Sequence, residues 1–142
     1  MELAIAAAER AAELGEVPVG AVISRDEQIL AVAYNALITQ NDPTGHAEVL
    51  ALRKAATVAA NYRLPGATLY VTLEPCTMCC GALIHARIER LVFATPEPKA
   101  GAVISTLKVL DNPQLNHRVS VQHGLEQERA SALLSDFFKA RR

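Results

Sequence analysis

The sequence predicts an α/β protein, a mixed sheet of about five strands sandwiched between helices. Three observations predict it. Apolar runs rich in β-branched residues alternate with amphipathic stretches at helical spacing. Two of those runs, separated by the polar Arg25-Asp26-Glu27-Gln28, read as an antiparallel hairpin. Between Ala67 and Ala94 the order run, helix, run has the spacing of a parallel crossover unit.

Taken in order, Met1 to Leu14 is an Ala-rich helix with Leu3, Ala7, Ala11 and Leu14 on one face and Gly15 as its stop. Its Glu2, Glu9, Arg10 and Glu13 argue against a secretory leader, and no apolar run approaches membrane-spanning length. Val17 to Ser24 and Ile29 to Tyr34 are the hairpin strands. Asn35 to Thr44 is a loop closed by Asp42-Pro43-Thr44. A helix from about His46 to Ala60 puts Val49, Leu52, Ala56 and Ala59 on one face. Asn61 to Gly66 then connects to the strand Ala67–Leu73.

Pro75 breaks that strand, and a helix follows from about Thr77 to Arg87, then a short strand, Arg90–Ala94. Thr95 to Gly101, with Pro96 and Pro98, is too broken for regular structure. It lies directly after a strand end, where α/β folds place ligand loops. Leu107 to Leu110 reads as a short helical turn and Arg118 to Gln122 as a last strand. Leu125 to Arg142 closes the chain as a helix with an apolar stripe of Leu133, Leu134, Phe137 and Phe138. Its basic end is Lys139, Arg141 and Arg142. No repeat, linker or low-complexity segment interrupts, so residues 1–142 read as a single domain.

Composition narrows the function classes. With 51% apolar and 20% charged residues the chain is an ordinary globular one, long enough to bury a core without disulfides. Three Phe, three Tyr and no Trp make that core aliphatic and Ala-rich. Fourteen Lys and Arg against fifteen Asp and Glu argue against a broadly basic nucleic-acid surface but leave room for a local basic patch. A cytosolic location fits the absence of a leader pattern. Of the three cysteines, Cys80 reads as a small buried hydrophobe.

Cys76 and Cys79 carry the chemistry. They fall on the first turn of the second predicted helix, where backbone N–H groups and the helix dipole favour thiolates. A lone Cys-x-x-Cys can equally be a redox pair or half of a structural zinc site. His46, in Thr44-Gly45-His46-Ala47-Glu48, supplies a third ligand at the start of another helix. Structural zinc is almost always closed by four protein ligands, whereas catalytic zinc keeps one position for water. Glu48 can reach that water without being a ligand. His-x-Glu followed by Pro-Cys-x-x-Cys is a known signature, that of the zinc deaminases. In that chemistry, water activated at zinc attacks a ring carbon bearing an exocyclic amine. Glu48 takes the water's proton and delivers protons to the ring nitrogen and the leaving amine. Both helix N-termini should then converge on the metal.

Segments outside this signature extend the resemblance over nearly the whole chain. Glu16 to Val22, Asn35, Asp42 to Glu48, Asn61-Tyr62-Arg63-Leu64 and Ala67 to Met78 resemble the bacterial tRNA-specific adenosine deaminases. So do Gly81-Ala82, Ile84 to Ile88, Asn116-His117-Arg118-Val119 and Leu133 to Phe138. The resemblance implies a three-layer α/β/α sandwich of the cytidine-deaminase type, assembled as a homodimer. It implies hydrolytic attack at C6 of the wobble adenosine in a tRNA anticodon loop, in an arginine tRNA, giving inosine and ammonia. One zinc per subunit is held by His46, Cys76 and Cys79, with Glu48 as proton shuttle. Asn35 and the Glu16–Val17–Pro18 segment, with Ala47 and Pro75 of the motifs, are the implied base pocket, although Asn35 is also a natural turn residue after a strand. Glu97, Lys99, His117 and Arg118, with Arg63, Lys139, Arg141 and Arg142, are the candidate RNA contacts. The last three equally suit the dipole at a helix C-terminus.

One stretch departs from the family pattern, which reads close to Ala-Arg-Asp-Ala-Lys-Thr-Gly after the fourth strand. Here it is Thr95-Pro96-Glu97-Pro98-Lys99-Ala100-Gly101, with a longer carboxylate, a lost hydroxyl and two stiffening prolines. Substrate scope is what this change touches. A free-base or nucleoside deaminase of guanine or cytosine type shares the zinc signature but not the Asn-Tyr-Arg-Leu, Asn-His-Arg-Val and Leu-Ser-Asp-Phe-Phe segments. A non-catalytic RNA-positioning subunit should lack Glu48. A structural zinc domain needs a fourth ligand, and Cys80, His85, His117 and His123 sit in no ligand pattern.

Overall fold

The computed structural model describes residues 1–142. Five strands form one mixed sheet: β1 (Gly20–Arg25), β2 (Gln28–Tyr34), β3 (Thr68–Leu73), β4 (Arg90–Thr95) and β5 (Ser120–His123), in the order β2-β1-β3-β4-β5. The hairpin β1–β2 is antiparallel, as its polar turn predicts, with Val22 opposite Val32. The crossover through α3 (Thr77–His85) makes β3 and β4 parallel, with Val71 opposite Phe93. Strand β5 extends the parallel side, and β1 joins the two halves by pairing antiparallel with β3.

Helices α1 (Glu2–Glu13) and α4 (Gln127–Lys139) cover one face, while α2 (Ala47–Ala59) and α3 cover the other. Period-two alternation sends Ala21 and Ile23, Leu69 and Val71, and Leu91 and Phe93 to the α2–α3 side. There they meet Ala51, Leu52, Ala55, Cys80 and Leu83 in the main core. Phe93 and Leu83 are fully buried, each worth roughly 1.5–3 kcal/mol relative to an exposed side chain. Ile5, Ala94 and Ala130 make a smaller cluster on the opposite face.

The helices bury stripes that coincide only in part with those the sequence suggests: Ala7, Ala11, Leu52 and Phe137 are buried as expected. In α1 the buried residues are Ala4, Ile5, Ala7, Ala8 and Ala11, while Leu3 and Leu14 are 47% and 38% exposed. The reason lies at Gly20, where an added Cβ would stand 2.0 Å from Ala4 O and 2.7 Å from Ala8 N. The helix backbone rests on the strand, so only its small face fits. In α2 the buried stripe is Ala47, Glu48, Ala51, Leu52 and Ala55; of the other expected residues Val49, Ala56 and Ala59 are half-buried, Ala59 packing against the core. In α4, Ala130 and Phe137 are buried and Phe138 is 46% exposed.

Several boundaries also move. Val17-Pro18-Val19 stays outside β1, because Pro18 has no N–H for a ladder and Val19 N bonds back to Val17 O at 2.8 Å. Helix α3 stops at His85, two residues early, since Arg87 adopts a left-handed φ of 61°. The helical turn is a 3-10 turn at Val109–Asp111, leaving Leu107 outside it and 70% exposed. The last strand begins at Ser120 rather than Arg118, and α4 spans less than Leu125–Arg142 at both ends. No helix is long and apolar enough to cross a membrane.

Candidate active site

At one end of the sheet β3 and β4 finish, β1 begins and β2 ends, so four connections gather there. The N-termini of α2 and α3 arrive at the same place. His46 is the N-cap of α2 and Cys76 the N-cap of α3, both in extended conformation, and neither side chain caps its own helix. They are therefore free to turn toward each other. The amide at the start of α2 is capped from elsewhere: Ala47 N donates to Asn35 Oδ1 at 2.9 Å. The approach to His46 is held by Asp42 Oδ1, which accepts from Thr44 N at 2.8 Å and Thr44 Oγ1 at 2.7 Å.

The three ligand atoms of His46, Cys76 and Cys79 lie within 4.8 Å of one another. A tetrahedral zinc with Zn–S about 2.3 Å and Zn–N about 2.0–2.1 Å separates its nitrogen and sulfur ligands by about 3.5 Å. His46 Nδ1 stands 3.6 Å from Cys76 Sγ and 3.5 Å from Cys79 Sγ, so the donor set fits zinc without rearrangement. Cys80 is no part of it: fully buried, it donates to Pro75 O at 3.8 Å, and burial pushes its thiol up to about 12.

The electrostatics suit a cation. A hydrogen bond from the Cys79 thiol, helped by His46, holds the Cys76 thiol down at about 4. Cys79 is shifted upward by that same bond. The bond to Cys76 raises His46 above its ordinary value. Glu48 is 4% exposed, and burial pushes its carboxyl up to about 7, against the pull of its backbone hydrogen bond and of His46. A carboxyl near 7 exchanges protons in both directions at neutral pH.

Beside these groups lies a cavity of about 220 Å³ lined by Val17, Val19, Asn35, Leu37, Leu73, Glu74, Glu97 and Ala100 as well as His46, Glu48 and Cys76. Of the residues singled out for the base pocket, Val17 and Asn35 thus face it, and so does Glu97 from among the candidate RNA contacts. Pro18, Ala47 and Pro75 do not line it: all three are buried, and Pro75 contributes its carbonyl to Ala102 N at 2.8 Å.

Lys99 stands outside, in a shallow cleft that shares Glu97 with the cavity and continues along Ser135, Phe138, Lys139, Arg141 and Arg142. His117 and Arg118 line neither. His117 Nε2 is 2.7 Å from Ile88 O, which ties its loop to the α3–β4 connection, and Arg118 donates to Asn112 O and Pro113 O at 2.7 and 2.9 Å, which holds its own loop. His117 shares a separate depression with Arg63, Arg87 and Glu89. Glu16, at the start of the implied pocket segment, does not line the cavity: 1% exposed, it accepts from Thr39 N at 2.7 Å. One buried carboxylate escaped the sequence reading: Glu74, 2% exposed, sits in the cavity wall. The one sequence signal for Glu74 is an acid between a buried strand and a Pro-Cys turn.

Comparison with known proteins agrees with this geometry. The MafB19-like deaminase family matches residues 1–142. A tRNA-specific adenosine deaminase of Haemophilus influenzae is 48% identical over 143 aligned positions, covering 100% of this chain and 83% of its own. A solved structure concerned with A-to-I editing by tRNA:A34 deaminases at the wobble position superposes with a TM-score of 0.92 at 43% identity, over 94% of this chain and 97% of that one. Guanine deaminase from Bacillus subtilis is more distant, with a TM-score of 0.67 and 34% identity over 99% and 90% of the two chains.

Proposed function

The chain belongs to the tRNA-specific adenosine deaminases, and we propose from that membership and its site that it converts the wobble adenosine of a tRNA anticodon loop to inosine. The observation that carries this is a buried Glu48 beside a zinc-fitting triad, at the base of a small cavity that opens next to a basic cleft. Zinc, when bound, supplies the Lewis acidity that makes water nucleophilic near neutral pH. The remaining work falls to the chain's own groups. Glu48 takes a proton from the attacking water and passes it to the ring nitrogen, then takes the second proton from the new hydroxyl on C6 and passes it to the amine, and ammonia leaves a ring carbonyl behind.

Val17, Val19, Leu37 and Leu73 offer apolar walls for the faces of a base. Asn35, its Oδ1 committed to Ala47, leaves the NH2 half of its amide for a polar edge. The cavity is smaller than a drug-sized pocket of about 300–1,000 Å³, which suits a single extruded base. A loop base is already partly unstacked, so flipping it costs less than opening a duplex. Lys99, Lys139, Arg141 and Arg142 give the adjoining cleft the local positive charge that the net charge of −1 conceals. We take an arginine tRNA as the cognate substrate. Free thiols at Cys76, Cys79 and Cys80 and a tRNA substrate both suit the cytoplasm.

Mass spectrometry of adenosine-ended anticodon stem-loops, incubated with zinc-loaded protein beside free adenosine, cytidine and guanine, tests the proposal. Inosine is expected at the wobble position of the arginine stem-loop alone. Guanine deamination with the stem-loops untouched would move the chain to the free-base reading, which its likeness to the Bacillus subtilis enzyme favours.

The proposal includes a homodimer. Tyr62, Met78 and Leu107 are exposed apolar side chains on or beside α2, α3 and the 3-10 turn, which are neighbours in the fold. Sedimentation equilibrium should give twice the 15.2 kDa subunit mass, and Met78→Glu should shift it toward one subunit. A single-subunit mass for the unaltered chain at micromolar concentration overturns the dimer.

A further inference from the structure

We propose that Glu74 is a positioning residue for substrate recognition: its buried carboxylate holds the segment from Glu97 to Ser105 and so places Glu97 and Ala100 on the cavity wall. This inference rests on the deaminase reading above and adds a residue to its recognition machinery. The carboxylate accepts five hydrogen bonds from that segment. Oε1 takes Val103 N at 3.1 Å, Ile104 N at 2.8 Å and Ser105 N at 2.9 Å. Oε2 takes Glu97 N at 2.9 Å and Ser105 Oγ at 2.5 Å. No Lys or Arg forms an ion pair with it, so neutral donors alone solvate a carboxylate that is 2% exposed.

Position in the chain explains what this arrangement does. Glu74 lies between the end of β3 and the metal turn, and its own amide donates to Thr95 O at 2.9 Å. The backbone joins the same two segments again, through Ala102 N to Pro75 O at 2.8 Å and a bridge between Cys76 and Gly101. One side chain therefore ties the ligand turn to both ends of the wall segment. Gly101 is the counterpart of this contact. An added Cβ there would lie 2.3 Å from the Glu74 carboxyl carbon and 2.6 Å from Glu97 O, so the close approach excludes any side chain.

Glutamine at position 74 keeps the shape but turns one acceptor oxygen into a donor. With its oxygen toward the three amides of Val103, Ile104 and Ser105, its NH2 faces Ser105 Oγ and Glu97 N. The serine hydroxyl can rotate to accept, whereas the Glu97 amide can only donate and loses its partner. The substitution thus loosens the Glu97 end of the wall selectively. It leaves His46, Cys76 and Cys79 in place.

The experiment compares the unaltered zinc-loaded chain with Glu74→Gln by two readouts: amide hydrogen exchange across residues 95–106, and kcat and KM on the arginine anticodon stem-loop and on free guanine. Faster exchange in 97–105 is expected, with KM raised about tenfold, the cost of one hydrogen bond to a charged group, while kcat and zinc content hold. Ser105→Ala, which removes only one donor, should move KM the same way by a smaller factor, and it decides the matter if Glu74→Gln does not fold. Unchanged exchange overturns the inference, as does a fall in kcat at constant KM. The unaltered chain failing on the stem-loop but acting on guanine overturns the tRNA reading alone, and the KM comparison is then read on guanine.

Discussion

Replacing Glu48 by alanine lowers kcat by about 10³-fold or more while zinc content stays at one per chain, because a single group moves every proton in the reaction. A positioned acid or base contributes typically about 10²–10⁴-fold. The two other carboxylates on the cavity are engaged with backbone amides. Glu74 has both oxygens committed, and the Oε1 of Glu97 accepts its own turn's Lys99 amide at 2.8 Å. Stability should hold or rise, since burial is the main cause that pushes the Glu48 carboxyl up to about 7 and the fold gains little from keeping it. Glu48→Gln, which preserves volume, should lose as much rate as alanine. Single-turnover rates beside metal analysis and calorimetry decide it; a variant retaining activity within tenfold of the parent removes Glu48 from the mechanism.

Cys76→Ser has the opposite signature, losing zinc and stability together. Cys76 Sγ is one of the three clustered donor atoms, and a serine hydroxyl there stays protonated and cannot supply a thiolate ligand. A metal that binds only the folded chain adds about 4 kcal/mol when free zinc exceeds its Kd a thousandfold, or on the order of 10 °C in Tm for a chain of this length. Chelator treatment of the unaltered protein should reproduce that shift, and added zinc should reverse it in the parent only. Equal Tm values for loaded, stripped and substituted protein would show that the triad does not couple to folding.

The two variants differ because of what each residue touches, and that difference was partly legible beforehand. His46, Cys76 and Cys79 declare themselves by type and spacing, and each follows a loop or a strand-breaking proline just where a helix begins. The hairpin was legible from its polar turn and the crossover from its strand–helix–strand spacing, since both are local along the chain. The buried faces of the helices were not. Ala-rich α1 offers more than one apolar stripe, and the choice was made by Gly20, which lets the helix backbone settle on the sheet through its smallest side chains.

The substrate side divides in the same way. Val17, Asn35 and Glu97 follow or precede strands that end at one edge of the sheet, so topology brings them to the cavity. His117 and Arg118 have the chemistry for RNA but spend it on the carbonyls of Ile88, Asn112 and Pro113.

By itself, then, the amino-acid order determined the fold class and pointed to the His46, Cys76 and Cys79 group that could hold a metal and to Glu48 beside it, because each is written in short-range spacing and residue type. Tertiary structure alone decided which helix faces are buried, which cations line the cleft beside Glu97, and that Glu74 holds the cavity wall. The donors that make Glu74 a clamp sit 23 to 31 residues away in the chain, and only the pairing of β3 with β4 brings them within reach.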